Sequence, residues 1–413
     1  MRNIFLTANP PGAAAISFPG TATSSQRIES IDLLRGVVMI IMALDHVRDY
    51  FHYDAFYYSP TDLSHTDTVL FFTRWITHFC APVFVFLAGI SAYLYGIKKG
   101  RKALSVFLFT RGIWLILAEL FILGFFRTFN PYFPYYNLQV IAAIGICMIA
   151  LSVIIYLNWY LIIGIALLLI TAHNLLDGVH ISGNNLPAFF WSLLHDVNHF
   201  SFGRFTVYVH YPVLPWIGLM AAGFCLGKLY GPYYDPVKRR KILLLAGVAA
   251  VMLFIMLRAG NFYGDAANWT RQRNFMFSIL SFLNVTKYPP SLLYILMTIG
   301  PALIFLAVSE KALNKFKMRI VIFGRTAMFY YLAHILFIHI FAVVAALLSG
   351  YKLEDMILST SVNDSISLKG YGFGLTTVYF IWIGLVLILY PLCRSFHQYK
   401  MRNQASHRWL SYF

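Results

Sequence analysis

Apolar stretches long enough to cross about 30 Å of hydrocarbon recur along the whole chain, and few folds are open to such a polypeptide. They begin near Leu33, Val69, Ala103, Asn137, Trp159, Tyr211, Ile242, Tyr288, Ile320 and Phe373. Backbone amides in hydrocarbon find no water, so each crossing must satisfy its own hydrogen bonds as a helix. The expected fold is an all-α, polytopic integral-membrane bundle of about ten transmembrane helices. The stretch from Trp159 to about Thr171 is short, and Asn268 to Leu283 reads as a candidate interfacial helix. Composition points the same way: 59% of the 413 residues are hydrophobic and 12% are charged, whereas a soluble domain is about one quarter charged. A soluble multi-domain enzyme and a disordered chain are both excluded.

The formal net charge of +16 comes from 32 Lys+Arg against 16 Asp+Glu. No basic run carries interleaved aromatics on a polar helix, so no nucleic-acid partner is expected; the partner implied is the lipid bilayer. Cations gather between apolar stretches instead. With a cytoplasmic N-terminus, inner segments collect Arg2 and Arg27, Lys98 to Lys102, Lys228 with Lys238 to Lys241, Lys311 to Arg319, and Arg394 to Arg408. Outer segments hold fewer: Arg48, Arg127, Arg204, Arg258, Arg271, Arg273, Lys287, Lys352 and Lys369. The positive-inside rule then puts both termini in the cytoplasm and the chain in the inner (cytoplasmic) membrane as a multi-pass protein.

Residues 1–26 hold Pro10-Pro11-Gly12 and a Thr/Ser run but no apolar core behind a basic start, so they read as a disordered cytoplasmic tail and not a signal peptide. Residues 27–393 form the membrane domain and 394–413 a basic cytoplasmic tail. Cys80, Cys147, Cys225 and Cys393 each lie in or beside an apolar stretch without CxxC spacing, so they read as packing residues and not as a disulfide framework or zinc site.

The outer loops differ in character. Asp49 to Asp67 carries four aspartates with His52 and His65, and the loop before the sixth stretch carries His173, His180, His195 and His199. Long polar loops on one side suggest a functional face there; the alternative is that they only cap the bundle. No internal repeat is present, which weakens a secondary-transporter reading.

Ionisable groups within hydrocarbon are costly unless paired or facing a wet cavity, so they are candidates for function. At about 1.5 Å of rise per residue, His46, His78 and His334 reach one layer slightly outside the midplane. Asp45 adjoins His46, and Glu119 falls near the same layer as a candidate substrate contact. A carboxylate beside an imidazole fixes its tautomer and raises its basicity, as a general base requires. Metal ligation is the other use of such a cluster, but no His-x3-His spacing supports it, and no metal is expected. Each residue also has a structural alternative: Asp45 or Asp49 pairing with Arg48, His78 bonding a carbonyl loosened by Pro82, and His334 bonding Tyr330 one turn earlier. Arg35, Arg111 and Arg325 sit near inner helix ends, where they either snorkel into headgroups or form a rim for a polyanionic cofactor. Tyr211-Pro-Val-Leu-Pro-Trp216 and Lys287-Tyr-Pro-Pro-Ser291 open two spans, which suits helix initiation; Tyr211, Trp216 and Lys287 are also candidates for a sugar subsite.

The segment Arg27 to Phe51, with Ile31-Asp-Leu-Leu-Arg-Gly36 and Ala43-Leu-Asp-His-Val-Arg48, resembles the opening of the heparan-α-glucosaminide N-acetyltransferase catalytic-domain family. Thr77 to Gly89, the two proline motifs and Gly324-Arg-Thr-Ala-Met-Phe-Tyr-Tyr331 extend the resemblance to about residue 340, closest to the family's bacterial membrane branch. The resemblance implies a membrane acyltransferase that takes acetyl from cytoplasmic acetyl-CoA and delivers it to an amino sugar or glycan on the far side; separately, a homodimer is an assembly the sequence leaves open. In the characterised branch an Asn near the outer end of the first span works with a loop His. An ungapped count places His46 at the Asn position and Tyr57 at the loop-His position; His52 takes that role only through a gap. The pair implied here is Asp45 and His46. The expectation is that His46, oriented by Asp45, deprotonates an acceptor amine or hydroxyl while His78 or His334 stabilises the oxyanion; direct transfer and an acetyl-imidazole both fit. A proton-coupled transporter or flippase of a glycan or lipid-linked substrate is the alternative, and a membrane scaffold the third.

Overall fold

The computed structural model describes residues 28–310, 314–404, 406–407 and 409–410; the tail read over 1–26 lies outside the described residues. The chain is mostly helical. α1 (Glu29–Phe51) lies at the centre and touches helices from both halves of the sequence. Its first turn carries Glu29 and Asp32 and its last turn Arg48, which complement the helix dipole.

The second apolar stretch is divided. α2 (Thr68–Thr77) opens where Asp67 accepts the N–H groups of Val69 and Leu70, and α3 (Cys80–Lys99) runs on from it to Gly100. The break at His78 follows from Pro82, which has no N–H to give the His78 carbonyl four residues earlier. Tyr294 Oη donates to that carbonyl at 2.7 Å and closes the gap. α4 (Arg101–Leu117) continues through one π-helical turn, Ala118–Leu123, into α5 (Gly124–Thr128). After it come α6 (Val140–Ile154) and α7 (Trp159–Thr171), the latter capped by the Asn158 side chain.

The mostly helical chain is as expected of an all-α bundle, and its loops add a small three-stranded sheet. β1 (Tyr135–Leu138) pairs in parallel with β3 (Phe205–Val209), and β2 (Asn198–Phe202) pairs antiparallel with β3 through a turn at Gly203. α8 (Leu186–Leu194) packs beneath, burying Ala188, Phe200 and Val209 together. Paired residues of the two parallel strands, such as Tyr135 and Thr206, are far apart in sequence, so no hairpin signal announces them.

α9 (Leu214–Leu226), α10 (Pro236–Gly260), α11 (Phe275–Leu283) and α12 (Leu292–Val308) follow, with α11 inside the stretch read as interfacial. The ninth apolar stretch is also divided: α13 (Lys315–Arg325) ends at Thr326 and α14 (Ala327–Leu348) begins after it. Ile320 therefore belongs to α13, and His334 lies about two turns into α14. α15 (Leu375–Asn403) stays helical well into the segment read as a basic tail.

Among the described residues five segments are long and apolar enough to cross a membrane: Thr68–Lys99, Arg101–Thr128, Pro236–Gly260, Ala327–Leu348 and Leu375–Asn403. Val140–Ile154, Trp159–Thr171, Leu214–Tyr230 and Leu292–Val308 are apolar but shorter. The outward faces of α10 and α15 carry exposed Leu245, Met252, Met256, Phe380 and Leu387, the apolar coat that lipid requires. Inside, small residues let helices close up. A Cβ at Gly89 would strike the Met220 carbonyl and one at Gly223 the Phe86 carbonyl, locking α3 against α9. Gly36 and Gly324 do the same for α1 and α13. These two crossings fix the helices that wall the site. All four cysteines are free, and three of them are buried.

Candidate functional site

Two cavities lie back to back in the bundle. One, of about 500 Å³, is lined by Arg35, Lys98, Arg111, Arg325 and Lys400, by the Asp32 carboxylate, and by apolar residues including Ala88, Ile144 and Met148. Arg35 and Arg325 both reach Asp32, at 3.3 Å each, and Arg35 also donates to Ser91 Oγ at 2.9 Å. Arg111 lies 5.7 Å from the Phe107 ring centre. The three arginines singled out from the sequence thus converge on one space from α1, α4 and α13, and the cationic excess suits a polyanion.

The second cavity, of about 650 Å³, opens beneath the sheet and loops. Asp45, His46, Arg48 and Asp49 line it from α1, Arg74 from α2, Arg127 from α5, Tyr208 from β3, and His210, Tyr211, Lys287 and Tyr288 from the loops. Asp45 is paired twice, with Arg48 at 3.0 Å and with Arg74; Arg48 also binds Asp49 at 2.6 Å. Its carboxylate is committed to guanidinium groups, and no hydrogen bond joins it to the His46 ring among the described residues. Neighbours in a helix point about 100° apart, so adjacency in sequence does not bring these two side chains together. The expected orientation of His46 by Asp45 is replaced by ring contacts: His334 at 5.2 Å and Tyr331 edge-on at 6.5 Å between centroids.

The remaining candidates divide by access. His334 is fully buried behind His46, its Nδ1 3.0 Å from the Tyr330 carbonyl, and does not line the cavity. His78 is buried at the α2–α3 break against Tyr294, also off the cavity wall. His52 accepts the Asp54 N–H, stacks on Tyr53 and caps the turn after α1; burial holds its imidazole below its ordinary pKa. Trp216 is buried beneath Tyr211 and does not reach the space. Glu119 is buried in the π-helical turn, where it pairs with Arg127 and accepts the N–H groups of Ile141 and Ala142 at 3.0 and 3.2 Å. It is therefore an internal clamp and cap, a common use of an irregular helical turn.

Lys287 and Tyr211 do line the cavity, with the Lys287 ammonium 5.1 Å from the Tyr288 ring and 6.0 Å from the Tyr211 ring. Asp265 builds their loop, accepting from Thr286 N, Thr286 Oγ1 and Ser291 Oγ at 2.8, 2.8 and 2.6 Å. His210 meets the Tyr288 ring edge at 4.2 Å, and burial together with the nearby Lys287 and Arg74 charges pushes its pKa down to about 3. Burial opposes ionisation of Tyr288, but the Lys287 and Arg74 cations outweigh it and bring the phenol below its ordinary value. Among the described residues no group of three His, Cys, Asp or Glu is arranged to hold a metal ion.

Sequence reading passed over Arg74, Arg127, Tyr331, His210 and Asp265. Arg74 and Arg127 carried a usable signal, since an arginine deep in an apolar stretch needs a partner. Tyr331 carried only its place in the motif from Gly324 and His210 no signal, because an aromatic residue in such a chain is usually packing.

The long apolar helices and the polar cavities between them define a membrane protein with an internal site. The heparan-alpha-glucosaminide N-acetyltransferase catalytic family matches residues 27–259, more than half of the chain, and the chain belongs to that family. Membership makes it a membrane protein of the acetyltransferase type. No curated protein matches it significantly. The motifs at Lys287 to Ser291 and Gly324 to Tyr331 lie beyond the matched range, yet Lys287, Tyr288 and Tyr331 complete a cavity begun by matched residues.

Proposed function

We propose that this protein moves an acetyl group from cytoplasmic acetyl-CoA to an extracytoplasmic amino sugar or glycan, as a multi-pass enzyme of the inner membrane with about ten spans and both termini inside. One observation carries the reading: the two cavities share Phe84, Val140 and Tyr331 in their walls, so a group bound in one lies a single side chain away from the other. The arginine cavity matches the phosphates of a nucleotide-linked donor in charge, and its apolar walls match a pantetheine arm. The loop-side cavity offers the aromatic faces and mixed polar groups that bind a sugar. In this reading His46, facing the shared wall, takes the proton of the attacking amine or hydroxyl as the carbonyl carbon is attacked and the thiolate leaves.

The test is acetyl transfer in proteoliposomes with labelled acetyl-CoA and glucosamine on opposite faces. Labelled N-acetylglucosamine formed only when acetyl-CoA is on the cytoplasmic face supports the reading. Glucosamine movement that is independent of acetyl-CoA and coupled to protons would replace it with transport.

A further inference from the structure

We propose that Tyr331 is a catalytic residue, its hydroxyl donating to the thioester carbonyl oxygen at the partition between the cavities, and that Glu119 and Arg127 are the residues that position it. The proposal rests on the acetyl-transfer reading above. Tyr331 lines both cavities, as do Phe84 and Val140, and of the three only Tyr331 has a side chain that can hydrogen-bond. Arg127 Nη2 donates to Tyr331 Oη at 3.2 Å. That bond uses a lone pair of the phenol and leaves its O–H free to donate to a second atom. The guanidinium also stabilises charge that builds on the phenol oxygen as it donates.

The supports of this group are all internal. Glu119, with a fully buried side chain, holds Arg127 by its other nitrogen, Nη1. Tyr50 Oη donates to the Arg127 carbonyl at 2.7 Å and fixes its backbone. The second Glu119 oxygen accepts the amides of Ile141 and Ala142, the start of the helix whose first residue is Val140. One carboxylate therefore bears on two of the three wall residues, Val140 through the amides of the two residues that follow it and Tyr331 through Arg127. His46 stands edge-on to Tyr331 on the loop side, so a base and a hydrogen-bond donor flank the same point.

The step balances without a co-reactant. The acceptor's nitrogen or oxygen bonds to the carbonyl carbon and loses its proton to His46. The carbonyl oxygen becomes an oxyanion held by the Tyr331 O–H, which keeps its proton. As the oxyanion re-forms the carbonyl, the C–S bond breaks and the thiolate leaves, to be protonated by the imidazolium. Preorganised donors of this kind are worth about 100- to 1,000-fold in rate.

The experiment uses full-length protein in nanodiscs with acetyl-CoA and glucosamine, comparing wild type with Tyr331→Phe and Glu119→Gln. Tyr331→Phe is expected to lower kcat about 100-fold or more while CoA binding stays within about twofold. Bound acetyl-CoA labelled with carbon-13 at the carbonyl should show a lowered stretching frequency in wild type, and the shift should vanish in Tyr331→Phe. A wall-filling role alone would move neither the frequency nor kcat. Glu119→Gln should weaken both effects in part, and a melting curve separates this from misfolding. If wild type turns over and Tyr331→Phe retains kcat within about twofold, the assignment to Tyr331 is overturned while the transferase reading stands. If wild type neither binds nor consumes acetyl-CoA, both fall together.

Discussion

The two cavities solve opposite electrostatic problems a few ångströms apart. Among the described residues the lining of the arginine cavity holds five cations and the Asp32 carboxylate, which is shared between Arg35 and Arg325, with Glu29 4.0 Å from Arg325 at its edge. At the base of the loop-side cavity the charges are nearly matched: Arg48 and Arg74 are held by Asp45, Arg48 by Asp49, and Arg127 by Glu119. An unbalanced cavity stores attraction for a ligand that carries the missing charge, whereas a balanced one uses its charges to hold itself together. The difference teaches that the first space is defined by its ligand's charge and the second by shape, aromatic faces and one polar edge.

The largest effect expected lies where the two spaces meet. His46→Ala removes the imidazole that stands edge-on to Tyr331 and should lower acetyl transfer about 100- to 10,000-fold, with CoA binding retained; unchanged turnover would remove His46 from the chemistry. Next is the balanced network. Asp45→Asn takes the carboxylate from Arg74 and leaves Arg48 with Asp49 alone, and loss of about 3–5 kcal/mol is expected, read as a lower melting temperature in detergent. A melting point equal to wild type would show that the cluster is not held by its charges.

A smaller effect is expected from the unbalanced side. Arg111→Ala should raise the acetyl-CoA KM about tenfold, close to 1.4 kcal/mol, with kcat and the glucosamine KM unchanged, and added salt should shrink the difference. A change in the glucosamine KM instead would erase the distinction between the two cavities. The smallest effect concerns acid stability. His210 is neutral in the fold down to about pH 3, whereas the unfolded chain binds that proton near its ordinary pKa. The fold therefore loses stability as pH falls from about 6.5 toward 3. His210→Gln should flatten this limb, and an unchanged pH profile of the melting temperature would refute the buried, neutral state of the ring.

The candidate site was legible in the sequence where a residue was out of place chemically. Arg35, Arg111 and Arg325 stood at the ends of apolar stretches and meet in one cavity, because charges in hydrocarbon must share the little polar space there is. The structural alternatives weighed for the deep residues also appear: Asp45 and Asp49 pair with Arg48, and His334 bonds Tyr330. Depth counting placed His46, His78 and His334 in one layer, but only His46 and His334 are neighbours, since rise along a helix gives height and not azimuth. The second and ninth stretches were each read as continuous, and the breaks at His78 and Thr326 changed which residues share a helix.

By itself the amino-acid sequence determined the solvent this protein folds in, its helical character and the family to which it belongs. These follow from apolar length and local motifs, which are properties of neighbours along the chain. Only the tertiary structure decided that Asp45 serves Arg74 and not His46, that Glu119 is a clamp under Arg127, and that Tyr331 stands in a wall common to two cavities. Each depends on which face of one helix meets which face of another, and close approaches such as Gly89 against α9 set those rotations. A side chain's partner across a bundle is fixed by packing between segments far apart in sequence, and no local pattern encodes it.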